Sequence, residues 1–436
     1  MTSRADSEVL TRVGPGTPMG DLLRQYWMPA LLSEDLLGAP AVRVRLVGED
    51  LVAFRDGTGA VGLLAEHCPH RGASLYFGRN EGDGLRCVYH GWKFRPDGAC
   101  IEMPNEPPEC RFAEKVRAVA YPCRERNGVV WVYLGPRATP PPLPELEWNL
   151  AARSPPFLWR MVRDCNWLQA MEGDLDSSHV NVLHGTPDDL EAPTVPGHRM
   201  PGAWASGMRL VRAGGPPRLE VADTPYGALY SARRPVDEAR EYHRVHPFLF
   251  PFPTMVGGGV DAGDVSFNGK AWVPMDDTRT LILEWQYRPG RPWSAAERAE
   301  LERIRNPWGF QPATGAAAGA FRSRAHAGND YLRDRELEAG PLVCGILSNP
   351  LQDAAVQEGM GAIVDRTREH LGPADAMIVR VRRRLLAAAR ALRERGEPPP
   401  GVDAPELYRV RPVGAVLPRG ADWLTATLAR RDACDV

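Results

Sequence analysis

Four side chains able to take a metal fall on two short arms, Cys68-Pro69-His70 and Cys87-Val88-Tyr89-His90. Each arm offers one thiolate and one imidazole. Each is also rich in turn formers, with Arg71-Gly72 after the first and Gly91-Trp92 after the second. A zinc finger usually pairs Cys with Cys on one arm and His with His on the other, and an all-Cys iron–sulfur cluster needs four thiolates. A Rieske [2Fe–2S] cluster needs two thiolates on one iron and two imidazoles on the other, so a Cys and a His from each of two loop tips suit it best. Its neutral imidazole ligands raise the reduction potential above that of an all-Cys cluster. A zinc site and four unrelated buried residues are the readings left over.

A second group of ligand-type side chains lies in Asn166–His184, NWLQAMEGDLDSSHVNVLH. Asp176 and His179 are three apart and would share a helix face. His179 and His184 are five apart, which an ideal helix does not align. Gly185-Thr186-Pro187 follows, so the reading is a helix ending there with His184 swinging in from a distorted last turn. Two His and one carboxylate with coordination positions left open form the facial triad of non-haem Fe(II) oxygenases. A hydrolytic zinc site and a helix with two ordinary His are the alternatives. An electron-transfer cluster and an O₂-activating iron on one chain make chemical sense together.

These residues need elements to position them. Residues 1–40 read as a helical lead-in, with apolar spacing in Asp21–Trp27 and Pro29 as its stop. Residues 41–135 carry short β-branched and aromatic runs, such as Val42–Val47, Leu51–Phe54 and Val129–Leu134, separated by turn signals, and predict a compact antiparallel β domain. The Pro-rich stretch 136–149 is a linker or strap. Residues 150–436 form a second, mixed domain. In it Thr280–Tyr287 reads as a strand. Met377, Val381, Leu385, Ala389 and Leu392 mark one face of a long helix over 374–395, whose Arg side chains read as a solvated face. Thr314–Ala320 is of low complexity and reads as a mobile loop.

Composition narrows the classes. The 436 residues carry 53 Lys plus Arg against 55 Asp plus Glu, a formal net charge of -2, which speaks against nucleic-acid binding as the main function. No apolar run is long enough for a membrane span, and the N-terminal stretch has no apolar core of a secretory signal, so a cytoplasmic protein is expected. Eight Cys are too few for a disulfide framework. Cys100, Cys110, Cys123, Cys165, Cys344 and Cys434 read as small buried hydrophobes or exposed thiols.

Taken together, the chain resembles the Rieske non-haem iron oxygenases, specifically the terminal oxygenase component of the phthalate dioxygenase-like group. The likeness rests on Arg12–Gly20, on CPHRGASL at 68–75, on CVYHGWKF at 87–94, on 166–184, and on Gln352–Glu358 followed by Val364–Leu371. It implies an α+β fold, with a β-sandwich Rieske domain joined to a helix-grip catalytic domain. It implies one [2Fe–2S] cluster held by Cys68, Cys87, His70 and His90. It also implies one mononuclear Fe(II) held by His179, His184 and Asp353, with Glu358 and Asp365 as nearby alternatives to Asp353. Asp176 would not be a ligand; it would link His179 to His90 of a neighbouring subunit, which implies a ring-shaped homotrimer, possible stacking of trimers included. Electrons would come from a separate NADH-dependent reductase, with flavin or a ferredoxin-type cluster, since this chain shows no nucleotide or flavin motif.

The expected reaction is ring hydroxylation or oxidative O-demethylation of an acidic or methoxylated aromatic. A substrate carboxylate would want a partly buried Arg, and Arg209 and Arg244 lie in segments resembling the pocket wall. Phe248, Phe250, Phe252 and Trp272 could line an apolar pocket, although core packing is the default for each. The reading from a different class is a Rieske-type electron-transfer protein with a non-catalytic second domain, which would need no His179/His184 pair.

Overall fold

The computed structural model describes residues 2–151, 154–184, 203–259, 265–316, 318–339 and 343–432. Two helices, Arg4–Thr11 and Pro18–Leu23, open the chain, each capped by a hydroxyl, Ser3 and Thr17. The lead-in then departs from the helical expectation. Trp27–Leu32 is a strand, buried at every position, paired antiparallel with Val129–Tyr133. Pro29 sits in it at a register shift between Pro29 and Leu31, where a missing N–H costs no ladder bond.

Three small antiparallel sheets follow the β texture of the sequence. Val42–Leu46, Glu49–Arg55, Val61–Ala65 and Ala120–Tyr121 form one. Four short strands, Arg79–Asn80, Leu85–Arg86, Lys93–Phe94 and Cys100–Glu102, form the second. Trp27–Leu32, Val129–Tyr133 and Cys123–Arg126 form the third. The two Cys/His arms emerge between strands of the first two sheets. The Pro-rich stretch is pinned, with Trp27 Nε1 donating to Pro141 O at 2.7 Å.

The second domain is built on one antiparallel sheet. Its strands run in the order Phe157–Arg163, Arg279–Tyr287, Phe267–Asp276, Pro253–Val256, Arg240–Leu249, Gly227–Pro235, Arg218–Thr224, with Val413–Pro418 also paired to Arg240–Leu249. The long helix Ala376–Arg395 packs on Arg218–Thr224 and Gly227–Pro235 and on both N-terminal helices. Met377, Val381, Leu385 and Ala389 are its buried stripe, as the periodicity predicts.

Its Arg side chains do not all face solvent. Arg382 is buried in an ion-pair cluster and Arg384 donates to the Thr224 carbonyl at 3.0 Å, because the sheet and the N-terminal helices cover more of the helix than one stripe. Phe248, Phe250, Phe252 and Trp272 are core residues. The loop around Thr314–Ala320 is closed by Thr314 N–H to Gly319 O at 3.0 Å, and Gly315 O accepts from Arg43.

One hydrophobic core runs from Leu10 through Trp131 and Trp148 to Trp423, so it crosses from one domain to the other. At the crossing three indoles stack: Trp131 on Trp148 with centroids at 6.3 Å, and Trp148 on Trp285 at 5.0 Å. Their Nε1 atoms are buried without a hydrogen-bond partner among the described residues.

Candidate metal centres and substrate cavity

The two Cys/His arms fold into matched loops. In the first, Cys68 N–H donates to Ala73 O and Gly72 N–H to Cys68 O, both 2.9 Å. In the second, Cys87 N–H donates to Trp92 O at 2.8 Å and Gly91 N–H to Cys87 O at 3.0 Å. Both turns end on a glycine with positive φ, +73° at Gly72 and +80° at Gly91. At Gly91 a Cβ would also come within 2.4 Å of Pro104. Cys68 and Cys87 are buried, 2% exposed each, while His70 and His90 are half-buried at the rim with ring centroids 4.5 Å apart.

His70 stacks on Trp92 at 4.3 Å, and Trp92 Nε1 is fixed by Asn105 Oδ1 at 2.7 Å. Burial, with the neighbouring Cys87 adding to it, pushes the Cys68 thiol up to about 11. Thiols inside and imidazoles outside, on twin loops, are the donor set a Rieske cluster asks for. The exposed Val88 and Tyr89 form an apolar tip beside His90.

The second centre departs from the helix expected for 166–184. The helix Trp167–Leu175 stops at Leu175, and Asp176 is its C-cap in extended conformation. His179 lies in a separate 3₁₀ turn, His179–Asn181. The Asp176–His179 contact therefore comes from a chain reversal rather than from a shared helix face. Asp176 Oδ2 lies 3.2 Å from His179 Nδ1, while its Oδ1 accepts from Ser178 N–H and Oγ–H. Leu183 N–H returns to His179 O at 2.8 Å, which brings His184 round. The expected stop at Gly185-Thr186-Pro187 lies outside the described residues.

Asp353 comes from the helix Asn349–Gly359. Its Oδ1 is 3.2 Å from His184 Nε2 and 3.7 Å from His179 Nε2. Among the described residues His179, His184 and Asp353 form a cluster whose donor atoms all lie within 4.8 Å of one another. Glu358 is engaged elsewhere, by Asp164 N–H at 3.1 Å and by Tyr331. Asp365 is exposed and caps its own turn through Thr367. Burial opposes the charged Asp353, but His184 and His179 outweigh it and hold the carboxyl well below its usual range.

Sequence reasoning missed Gln352. Its Oε1 lies 2.6 Å from His184 Nδ1, and its own Nε2 donates to Ile346 O at 2.8 Å. The amide is thus oriented to accept, which leaves His184 Nε2 toward Asp353. Its place next to Asp353 was the available signal. Asp174 was missed as well; it anchors the site helix to the sheet through Thr254 Oγ1 at 2.8 Å and Lys270 Nζ at 2.7 Å.

A cavity of about 160 Å³ opens on this centre. His179, His184 and Asp353 line one side, and Arg244, His246, Asn268, Lys270 and Glu284 line the sheet side. Arg244 is 2% exposed; its Nε donates to Gly257 O at 2.9 Å and its Nη1 lies 3.4 Å from Ser177 Oγ. Arg209 is exposed and does not line the cavity. Its neighbour Met208 does, and consecutive helical residues point about 100° apart. His246, 3% exposed, stacks on Tyr230 at 4.7 Å. Burial first, then Arg244 and Arg234, push its pKa well below the ordinary range, so it is neutral.

Two family models match this chain: "Rieske [2Fe-2S] domain" over residues 26–122 and "LigXa C-terminal domain like" over residues 132–433. The 3-chlorobenzoate-3,4-dioxygenase oxygenase subunit of Comamonas testosteroni is 40% identical over 443 residues, covering 98% of each chain.

The chain belongs to the Rieske non-haem iron oxygenases.

The phthalate 4,5-dioxygenase oxygenase subunit of Pseudomonas putida is 35% identical to this oxygenase over 97% of the chain and 94% of its own length. Dicamba monooxygenase bound to dicamba has the same fold, with a TM-score of 0.59 at 17% identity, covering 86% of this chain and 99% of its own. The Rieske oxygenase described here is an oxygenase subunit of a multicomponent system with a reductase partner. It carries a [2Fe–2S] cluster and a mononuclear iron. The reading as an electron carrier with a non-catalytic second domain does not fit full-length likeness to oxygenase subunits. No described helix is long and apolar enough to cross a membrane.

Proposed function

We propose that this subunit hydroxylates or O-demethylates an aromatic carboxylate in the cytoplasm, with electrons from an NADH-dependent reductase. Arg244 would be the residue that binds the substrate anion. The observation that carries the reading is a buried guanidinium lining the same cavity as His179, His184 and Asp353. The two relatives named above act, by their names, on a chlorobenzoate and a phthalate, both aromatic acids.

In this reading Cys68 and Cys87 hold one iron of the cluster and His70 and His90 the other. His179, His184 and Asp353 hold the mononuclear iron, with Glu358 and Asp365 outside the set. When bound, the two centres together supply stored electrons and O₂ activation. The chain's own residues do the rest. Asp176 and Gln352 accept hydrogen bonds from the Nδ1–H of His179 and His184, which fixes both tautomers and leaves each Nε2 free to coordinate. Arg244 neutralises and orients the anion, and Val256, Leu301 and Ile304 exclude water from the ring. Asp176 would also link His179 to the partner subunit's His90 in a homotrimer.

The test is anaerobic single turnover of the reduced holoenzyme with a panel of aromatic acids and aryl methyl ethers, with product analysis. A hydroxylated or demethylated acid is expected, together with about three iron atoms per chain, two from the cluster and one mononuclear. Iron at about two per chain with no product would refute the reading.

A further inference from the structure

The substrate cavity has two chemically different ends. Arg244 marks the first. The second is formed by Asn268 and Glu284, 8% and 4% exposed, which line the cavity from neighbouring strands. In the sheet the strand of Glu284 is three strands away from that of Arg244, about 14 Å at the usual spacing. The register sets Asn268 opposite Gln286 and Lys270 opposite Glu284, so these side chains share the face that bounds the cavity.

The hydrogen bonds at this end are lopsided. Glu284 Oε1 accepts from Asn268 Nδ2 at 2.7 Å, from Arg305 Nε at 2.9 Å and from Arg305 Nη2. No described residue donates to Glu284 Oε2 or to Asn268 Oδ1. Neither atom is sealed off, in contrast with both ring nitrogens of His246. Lys270, the charged neighbour on the paired strand, is turned to Asp174. Burial opposes the charge on Glu284, but Arg305 and then Lys270 outweigh it and hold the carboxyl below its usual range. Two acceptors to which no described residue donates, one of them anionic, thus lie on the cavity lining beside Lys270 and Arg305, whose charges are turned to Asp174 and Glu284, while Arg244 lines it from a strand three places away.

We propose that Glu284 Oε2 and Asn268 Oδ1 bind a hydroxyl or amino group on the substrate ring, placed away from its carboxylate. The substrate class is then a hydroxy- or aminoarene carboxylate. This rests on the reading above for the anion end only. A site built to hydrogen-bond a substrate group discriminates strongly against the analogue lacking it, because its own polar atoms would be left unpaired.

The test is calorimetric binding to the iron-loaded enzyme of 3- and 4-hydroxybenzoate and 3- and 4-aminobenzoate against the methylbenzoates of the same shape. At least one donor-bearing acid is expected to bind tenfold or more tighter than its methyl counterpart. Asn268→Leu, which leaves the Glu284–Arg305 pair in place, should erase most of that preference, lowering the affinity for the donor-bearing acid more than that for its methyl counterpart. Equal affinity for donor and methyl compounds overturns the proposal, whether or not the variant folds. Phenol and aniline against toluene separate the two readings. Discrimination on neutral rings without preference for acids supports this acceptor pair and refutes the Arg244 reading. Preference for acids without discrimination does the reverse.

Discussion

The two iron-site imidazoles have unlike partners. His179 faces a carboxylate, Asp176, and His184 a neutral amide, Gln352. A carboxylate behind an imidazole raises its basicity more than an amide does. Asp176→Asn keeps an acceptor for His179 and removes the charge. The expected result is unchanged iron content with coupled turnover reduced ten- to a hundredfold, read as NADH consumed per product formed; normal coupled turnover would show that the charge has no such role.

His246 gives a pH prediction. Its folded pKa is depressed, so the unfolded chain binds the extra proton below the ordinary value near 6.5. Stability from this group is therefore full above that value and is lost as pH falls. Between pH 7 and 5.5 the loss should be about 1 kcal/mol, and urea unfolding of a His246→Phe variant should show a slope shallower by that amount. At this scale the candidate Cys and His ligands were legible from their type and spacing, whereas Asp353 was singled out by the family resemblance. Gln352 and Glu284 were not, because an amide or carboxylate reveals its job only through what it touches.

At the scale of elements, the site helix Trp167–Leu175 is tied to the long helix by charge. Arg382 Nε meets Glu172 Oε1 at 2.6 Å and Arg382 Nη2 meets Glu369 Oε1 at 2.9 Å, with Arg366 on Glu172 at 3.4 Å. Burial opposes the charge on Glu172, yet these guanidinium groups hold its pKa below the usual value. Arg382→Leu leaves buried carboxylates short of a partner and should destabilise the fold by about 3–5 kcal/mol, measured by denaturant unfolding; a change under about 1 kcal/mol would show the cluster to be dispensable. The helix itself was readable from its apolar repeat. That Arg382 lies inside was not, since a repeat marks one stripe and says nothing of what packs on its flanks. The stop at Leu175 was not read from 166–184; the chain reverses there because Asp174 is held by Thr254 and Lys270 on the sheet while Asp176 bonds Ser178 and His179 just ahead, which together outweigh helical preference.

At the scale of the molecule, the antiparallel β texture of the first part and the mixed helix and sheet of the second read correctly from the sequence, because turn residues and β-branched runs act locally. The Trp27–Leu32 strand did not, since its partner lies about a hundred residues on, at Val129–Tyr133. The same long-range pairing lets a single core cross the domain boundary, where Trp131, Trp148 and Trp285 are stacked. Buried indole N–H groups usually find a partner, and these three have none among the described residues. Their ultraviolet emission should thus be that of indole in a dry, apolar medium. If the two domains part, water reaches all three together and the emission moves to longer wavelength. These are three of the chain's twelve tryptophans, so only the part of the emission that shifts when the domains separate reports on the junction.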